Sequence, residues 1–185
     1  LVMTKDSKDT DMNELIAAMV GRSLDNRFPP VDNEPGETVF SVQNLSTKYA
    51  PKLQNISFDI RKGEIFGFYG LVGAGRTELL ETIFGMRTRA EGNVIYNGKI
   101  MNFNSPREAM DHGFALITEE RKANGLFLKG DLTFNTTISN MNHYKNGIAL
   151  SHDRMVRATA EKIRIMHTKC MGPDDMISSL SGGNQ

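Results

Sequence analysis

The chain has 185 residues, enough for one domain with a proper core, and its 22 Lys and Arg balance 22 Asp and Glu. Zero formal charge argues against a polyanionic partner such as nucleic acid. The single cysteine, Cys170, excludes an internal disulfide, fits a reducing compartment and reads as a small apolar filler.

A chain that opens on Leu1 rather than Met, with no charged-then-apolar leader, is expected to be an excerpt of a longer protein. Asp11 to Arg22 reads as a helix, with Leu15, Ala18, Met19 and Arg22 at helical spacing. Its apolar run, Leu15 to Val20, falls well short of the ~20 residues that span a bilayer. "LDNRFPPVDNEPGE" (Leu24 to Glu37) carries prolines, a glycine and charges and reads as a linker, with a domain boundary near Gly36.

Beyond it the pattern turns to strands. Val39 to Val42 and Ile56 to Ile60 alternate, separated from the next run by a turn at Arg61 to Glu64. Ile65 to Tyr69 is apolar almost throughout, as a buried central strand should be. Thr77 to Phe84 carries Leu79, Leu80, Ile83 and Phe84 on a helical face. Gly92 to Phe103 is a hairpin around Asn97-Gly98. Ser105-Pro-Arg-Glu108 starts a helix, with Ser as N-cap, Pro first and Glu third. Phe114 to Thr118 is a second buried strand. After Asp131 the strand signals stop, and Ser151 to His167 forms a helix with Met155, Ala158, Ile163 and Met166 on one side.

Between strand and helix lies Gly70-Leu-Val-Gly73-Ala74-Gly75-Arg76-Thr77, which fits the phosphate-loop pattern G-x-x-x-x-G-K-[ST] except that Arg76 replaces lysine. A glycine loop entering a helix aims backbone N–H groups and the positive end of the helix at one spot. Thr77 would place its hydroxyl on Mg²⁺, and Arg76 would face the terminal phosphates. A planar guanidinium fits less well than an ammonium, at a cost of about 1–2 kcal/mol, or tenfold in affinity. The rival dinucleotide fingerprint G-x-G-x-x-G fails, because Glu78 stands at its third glycine. A ligand-free glycine turn is the other reading of the loop.

"LSGGNQ" (Leu180 to Gln185) closes the chain. Alone it is a turn. Following a phosphate loop and a helical block, it makes the sequence resemble the nucleotide-binding domain of ABC transporters. "GLVGAGRTE", "HGFALITEER" (His112 to Arg121), "TEERK" (Thr118 to Lys122) and "IAAMVGRSLDNRFP" (Ile16 to Pro29) narrow the resemblance. Together they are similar to the second ATP-binding half of bacterial importers of ribose, xylose and above all galactose or methyl galactoside.

That resemblance, which covers essentially the whole chain, implies an α/β P-loop NTPase fold of the ABC type. It would be truncated, with an antiparallel β edge subdomain and a helical subdomain. The implied divisions are 1–36 for helix and linker from the preceding half, 37–130 for the β subdomain and phosphate-loop core, and 131–185 for the helical subdomain. It implies ATP and Mg²⁺ as cofactors. Tyr49 would stack on adenine, although plain packing is equally open for it. Gly70, Gly73, Ala74, Gly75, Arg76, Thr77 and Glu78 would hold ATP. Glu119 would stand at the position of a glutamine that touches Mg²⁺ and the attacking water. Ser181, Gly182, Gly183, Asn184 and Gln185 would form the signature that binds the γ-phosphate of ATP held by the other half.

The implied partners are a first ATP-binding half on the same polypeptide, membrane permease subunits and, indirectly, a periplasmic sugar-binding protein. The implied location is the cytoplasmic face of the bacterial inner membrane. The acidic Mg²⁺ ligand, catalytic glutamate and switch histidine of the family are expected beyond Gln185. His112, His143, His152 and His167 all precede the signature and read as surface residues. The readings left open are a soluble ABC-type ATPase outside transport and a non-catalytic nucleotide-sensing module. A P-loop kinase would lack the signature.

Overall fold

A computed structural model describes residues 3–20 and 33–185. Helix α1 (Met12–Val20) lies within the helix read from the N-terminal periodicity. Arg22 and the expected linker up to position 32 fall outside the described residues.

A four-stranded antiparallel sheet in the order β2-β1-β3-β4 forms one layer. Its strands are β1 (Thr38–Thr47), β2 (Ile56–Arg61), β3 (Arg89–Tyr96) and β4 (Lys99–Ile100). Asn97 and Gly98 both take positive φ, the turn that closes the β3–β4 hairpin with a twist matching its strands. Val42 and Leu45 are both buried although three positions apart, which an unbroken pleat forbids. A register shift between them, with Asn44 at φ 51, turns Leu45 to the core face. Gly92 lies across from that bulge. A Cβ there would sit 2.5 Å from backbone atoms of Gln43 and Asn44, so only glycine fits.

Helix α2 (Arg76–Ile83) packs Leu79 and Ile83 against Val42, Leu45 and Val94 of the sheet. Burying such side chains is worth about 1.5–3 kcal/mol each, so this core fixes where α2 begins. Helix α3 (Pro106–Asp111) starts as read: the Ser105 hydroxyl accepts from the Glu108 N–H, and Pro106 comes first.

Two sequence expectations are corrected here. Ile65–Tyr69 and Phe114–Thr118 are not buried strands. Neither joins a ladder among the described residues, and Ile65, Tyr69 and Ile117 are 91%, 98% and 95% exposed. Their alternate residues do pack. Phe66 and Phe68 meet Phe58, and Phe114 meets Phe40, Tyr96 and Phe103. Each segment therefore has one face on an aromatic cluster and the other bare. A continuous apolar run looks the same in sequence whether one face or two are covered.

The remaining elements gather on a second core of Leu132, Ile177 and Leu180, with Leu126, Ile163 and Cys170 against it. Helix α4 (Leu132–Thr137) is capped by the Asp131 carboxylate, which accepts from the Phe134 N–H. Strands β5 (Lys145–Asn146) and β6 (Ala149–Leu150) form a short hairpin, correcting the expectation that strands stop after Asp131. The signal was the Asn146-Gly147 pair, with Gly147 at φ 65. Helix α5 (His152–Met166) buries Met155 and Thr159, with Ile163 next on that stripe. Met166, expected inside, is 73% exposed, because it sits in the last turn before the left-handed cap at His167. The result is an α/β fold with an antiparallel sheet and a helical region beside it.

Candidate nucleotide-binding site

The chain between β2 and α2 narrows to a loop whose backbone closes on itself, the Ala74 N–H donating to the Leu71 carbonyl at 3.0 Å. Gly75 is the N-cap of α2 in the left-handed region at φ 86. A Cβ on it would lie 2.5 Å from Leu53 Cδ2, so the position needs glycine for both angle and room. Gly75 offers no side chain to cap the helix. The first N–H groups of α2 therefore stay open to an outside acceptor, as an anion site requires. Arg76 and Thr77 are exposed there, and Arg76 forms no ion pair among the described residues.

Glu119 arrives from the segment after Phe114. Its Oε2 accepts from Thr77 Oγ1 at 3.4 Å. Arg76, Thr77, Phe68, Glu81, Thr118 and Glu119 line one open cleft of about 730 Å³. In that lining the Thr118 hydroxyl is buried without a partner among the described residues. The oxygens of Thr77 and Glu119 are the hard ligands Mg²⁺ takes, and that ion keeps waters and phosphate oxygens for its other positions. These residues fit a magnesium-bound polyphosphate.

Tyr49 lies elsewhere. It is 61% exposed and lines a groove of about 180 Å³ with Glu78, Met86 and Arg87. Lys48 Nζ stands 5.6 Å from its ring centroid. Glu78 connects this groove to the first turn of α2, with its carboxylate 3.9 Å from Arg87. Hydrogen bonding to Glu81 raises the Arg87 pKa above the ordinary guanidinium value.

Leu180 is buried in the second core and holds the start of "SGGNQ" in place. The Asn184 and Gln185 N–H groups donate to the Ser181 carbonyl at 2.9 and 3.1 Å, a single turn. Asn184 Nδ2 donates to Ser181 Oγ at 2.8 Å, and its Oδ1 accepts from the Lys169 N–H at 2.9 Å. Gln185 Nε2 donates to the carbonyls of Ile177 and Leu180. The side chains of Asn184 and Gln185 thus build the turn, while Gly182 and Gly183 present bare backbone.

Sequence reasoning assigned no role to Arg121. Its Nε donates to Gln185 Oε1 at 3.3 Å, and its Nη2 passes 2.6 Å from where a Gly182 Cβ would be. The only signal was its place in "TEERK", two residues after Glu119. The four histidines are exposed, as read.

The ABC transporter family profile matches residues 53–185. The chain is 55% identical over its full length to the galactose/methyl galactoside import ATP-binding protein MglA of Treponema denticola. It is 49% identical to the protein of that name in Treponema pallidum. Identity to the Escherichia coli protein is 46% over 94% of the chain. The chain spans 37%, 37% and 35% of the length of these three relatives. Among solved structures, a nucleotide-free ATP-binding cassette from an ABC transporter superposes with TM-score 0.63 at 20% identity, covering 79% of this chain and 60% of that one. The ADP conformation of MJ1267, an ATP-binding cassette of an ABC transporter, gives 0.57 at 20% identity, over 80% and 61%. The glycine loop, the signature turn and these similarities agree, and the chain belongs to the ABC transporter family, with the fold of its nucleotide-binding domains.

Proposed function

We propose that this chain is the second ATP-binding half of a bacterial sugar importer, powering uptake of galactose or methyl galactoside. Ribose and xylose are the alternative cargoes. The observation that carries the ATP reading is the start of α2, where open N–H groups, Arg76 and the Thr77–Glu119 pair meet at one cleft. The sugar rests on the names of relatives that match along the whole chain.

In this reading Gly70, Gly73, Ala74 and Gly75 cradle phosphate through their backbone, and Arg76 faces the terminal phosphates. Thr77 and Glu119 hold Mg²⁺, Glu78 flanks the loop, and Tyr49 stacks on adenine. Ser181, Gly182 and Gly183 contact the γ-phosphate of ATP on the partner half, while Asn184 and Gln185 shape their turn. Mg²⁺ held by Thr77 and Glu119 would supply neutralisation of the charge on the transferred phosphoryl group. The chain's own residues orient the phosphates and exclude conformations in which the γ-phosphate is poorly aligned.

Arg76 makes the chain's own site the weaker of two, so its main contribution is the signature lent to the first half. That half lies on the same polypeptide, and the assembly is peripheral at the cytoplasmic face of the inner membrane. It binds permease subunits and, through them, a periplasmic sugar-binding protein. Residues 1–36 carry the connection from the first half, 37–130 the β subdomain and phosphate loop, and 131–185 the helical subdomain. Reconstituting the full-length protein with its permease and sugar-binding protein tests this. Galactose should stimulate ATP hydrolysis and drive uptake. Stimulation by ribose or xylose alone moves the cargo, and no stimulated hydrolysis with any sugar overturns the reading.

A further inference from the structure

We infer that Arg121 is a positioning residue that ties the signature turn to the segment carrying Glu119. The inference rests on the transporter reading above. Gln185 spends its amide nitrogen on the Ile177 and Leu180 carbonyls, at 3.1 and 3.0 Å. That leaves its Oε1 as acceptor for Arg121 Nε at 3.3 Å. The guanidinium then runs over Gly182, where the missing Cβ makes room: Nη2 is 2.6 Å from the position that atom would take. Arg121 itself stands on a short turn closed by the Asn124 N–H donating to the Glu120 carbonyl at 2.9 Å. Two residues before Arg121, Glu119 accepts from Thr77 at the phosphate loop.

One short segment therefore touches both motifs of the chain. At one end it meets the loop that serves the chain's own nucleotide, and at the other the turn lent to the partner's nucleotide. A fork-shaped cation suits this place, because it can hold Gln185 with one nitrogen and lie flat over the glycine with another. The signature N–H groups act on charge that develops at the γ-phosphate, so a displaced turn slows turnover more than it weakens ground-state binding.

The test uses the full-length protein with its permease and sugar-binding protein, reading sugar-stimulated ATP hydrolysis. Arg121→Ala should lower kcat about tenfold with KM for ATP unchanged. Gln185→Ala should cost at least as much, because it also frees two carbonyls. The double variant should be no worse than Gln185→Ala alone, since the two residues act as a unit. If Arg121→Ala fails to fold, Arg121→Met replaces it, keeping the apolar stem over Gly182 without the donor. Unimpaired kcat in the Arg121 variant, a loss confined to KM, or independent losses that multiply in the double variant overturns the inference. In each of those cases the wild-type protein still hydrolyses ATP under sugar, so the transporter reading stands. A wild-type protein without sugar-stimulated hydrolysis overturns that reading, and the role of Arg121 falls with it.

Discussion

Arg76 carries the question of how well the loop binds phosphate. It is exposed at the first turn of α2, with a free guanidinium among the described residues. A compact ammonium enters a phosphate cradle more closely than a planar fork. Calorimetry of MgATP binding to the 185-residue chain should therefore show Arg76→Lys about tenfold tighter than the parent. An equal or weaker affinity refutes the account of the arginine. Gly75 makes a sharper case, because a Cβ there meets both a left-handed φ and Leu53. Gly75→Ala should destabilise the fold by about 1–3 kcal/mol and abolish binding in the same titration. Binding that survives would show that the loop angle is not what opens the α2 N–H groups.

At the scale of elements, the bulge in β1 decides which residues reach the core. It lets Val42 and Leu45 face inwards together, and it depends on Gly92 in β3. Gly92→Ala places a methyl group against backbone that has no rotamer to yield. A loss of about 2–4 kcal/mol follows, lowering Tm by about 5–15 °C in calorimetric melting. A shift under a degree would mean that the bulge relaxes freely. The second core ends in Leu180, the residue next to the signature turn. Leu180→Ala should cost about 2–4 kcal/mol through the cavity it leaves. It should also loosen the turn, which hydrogen exchange at the Asn184 and Gln185 amides would report. Unchanged protection there would separate the core from the signature.

For the whole molecule, the two nucleotide motifs serve different sites in the proposed transporter. Ser181→Arg or Gly182→Asp should abolish sugar uptake more completely than Arg76→Ala, in membranes at matched expression. A side chain at Gly182 blocks backbone approach to phosphate and meets Arg121 as well. Equal loss with Arg76→Ala would make the two sites equivalent. The 185-residue chain alone should bind nucleotide without turning it over, because Glu119 is the one carboxylate that bonds Thr77 among the described residues. Steady hydrolysis that survives an Arg76→Ala control contradicts this.

Local chemistry made much of the chain legible as sequence. Gly75 at the head of α2, Asn97-Gly98 in a hairpin and Ser105-Pro106 at a helix start each act within a few residues, and each appears where the pattern puts it, although the run before the glycine loop joins no strand ladder among the described residues. The phosphate loop and signature were readable for the same reason, as fixed spacings of small residues. Tertiary structure alone decided which faces are covered. Ile65 to Tyr69 and Phe114 to Thr118 look like central strands, but covering both faces takes neighbours that apolar content does not specify. Met166 follows the helical period and still ends exposed, since it is the last residue of the helix. The bulge that turns Leu45 inwards, the meeting of Thr77 with Glu119 and the reach of Arg121 to Gln185 join residues far apart in the chain. Such contacts depend on how the elements dock, and no local spacing encodes that.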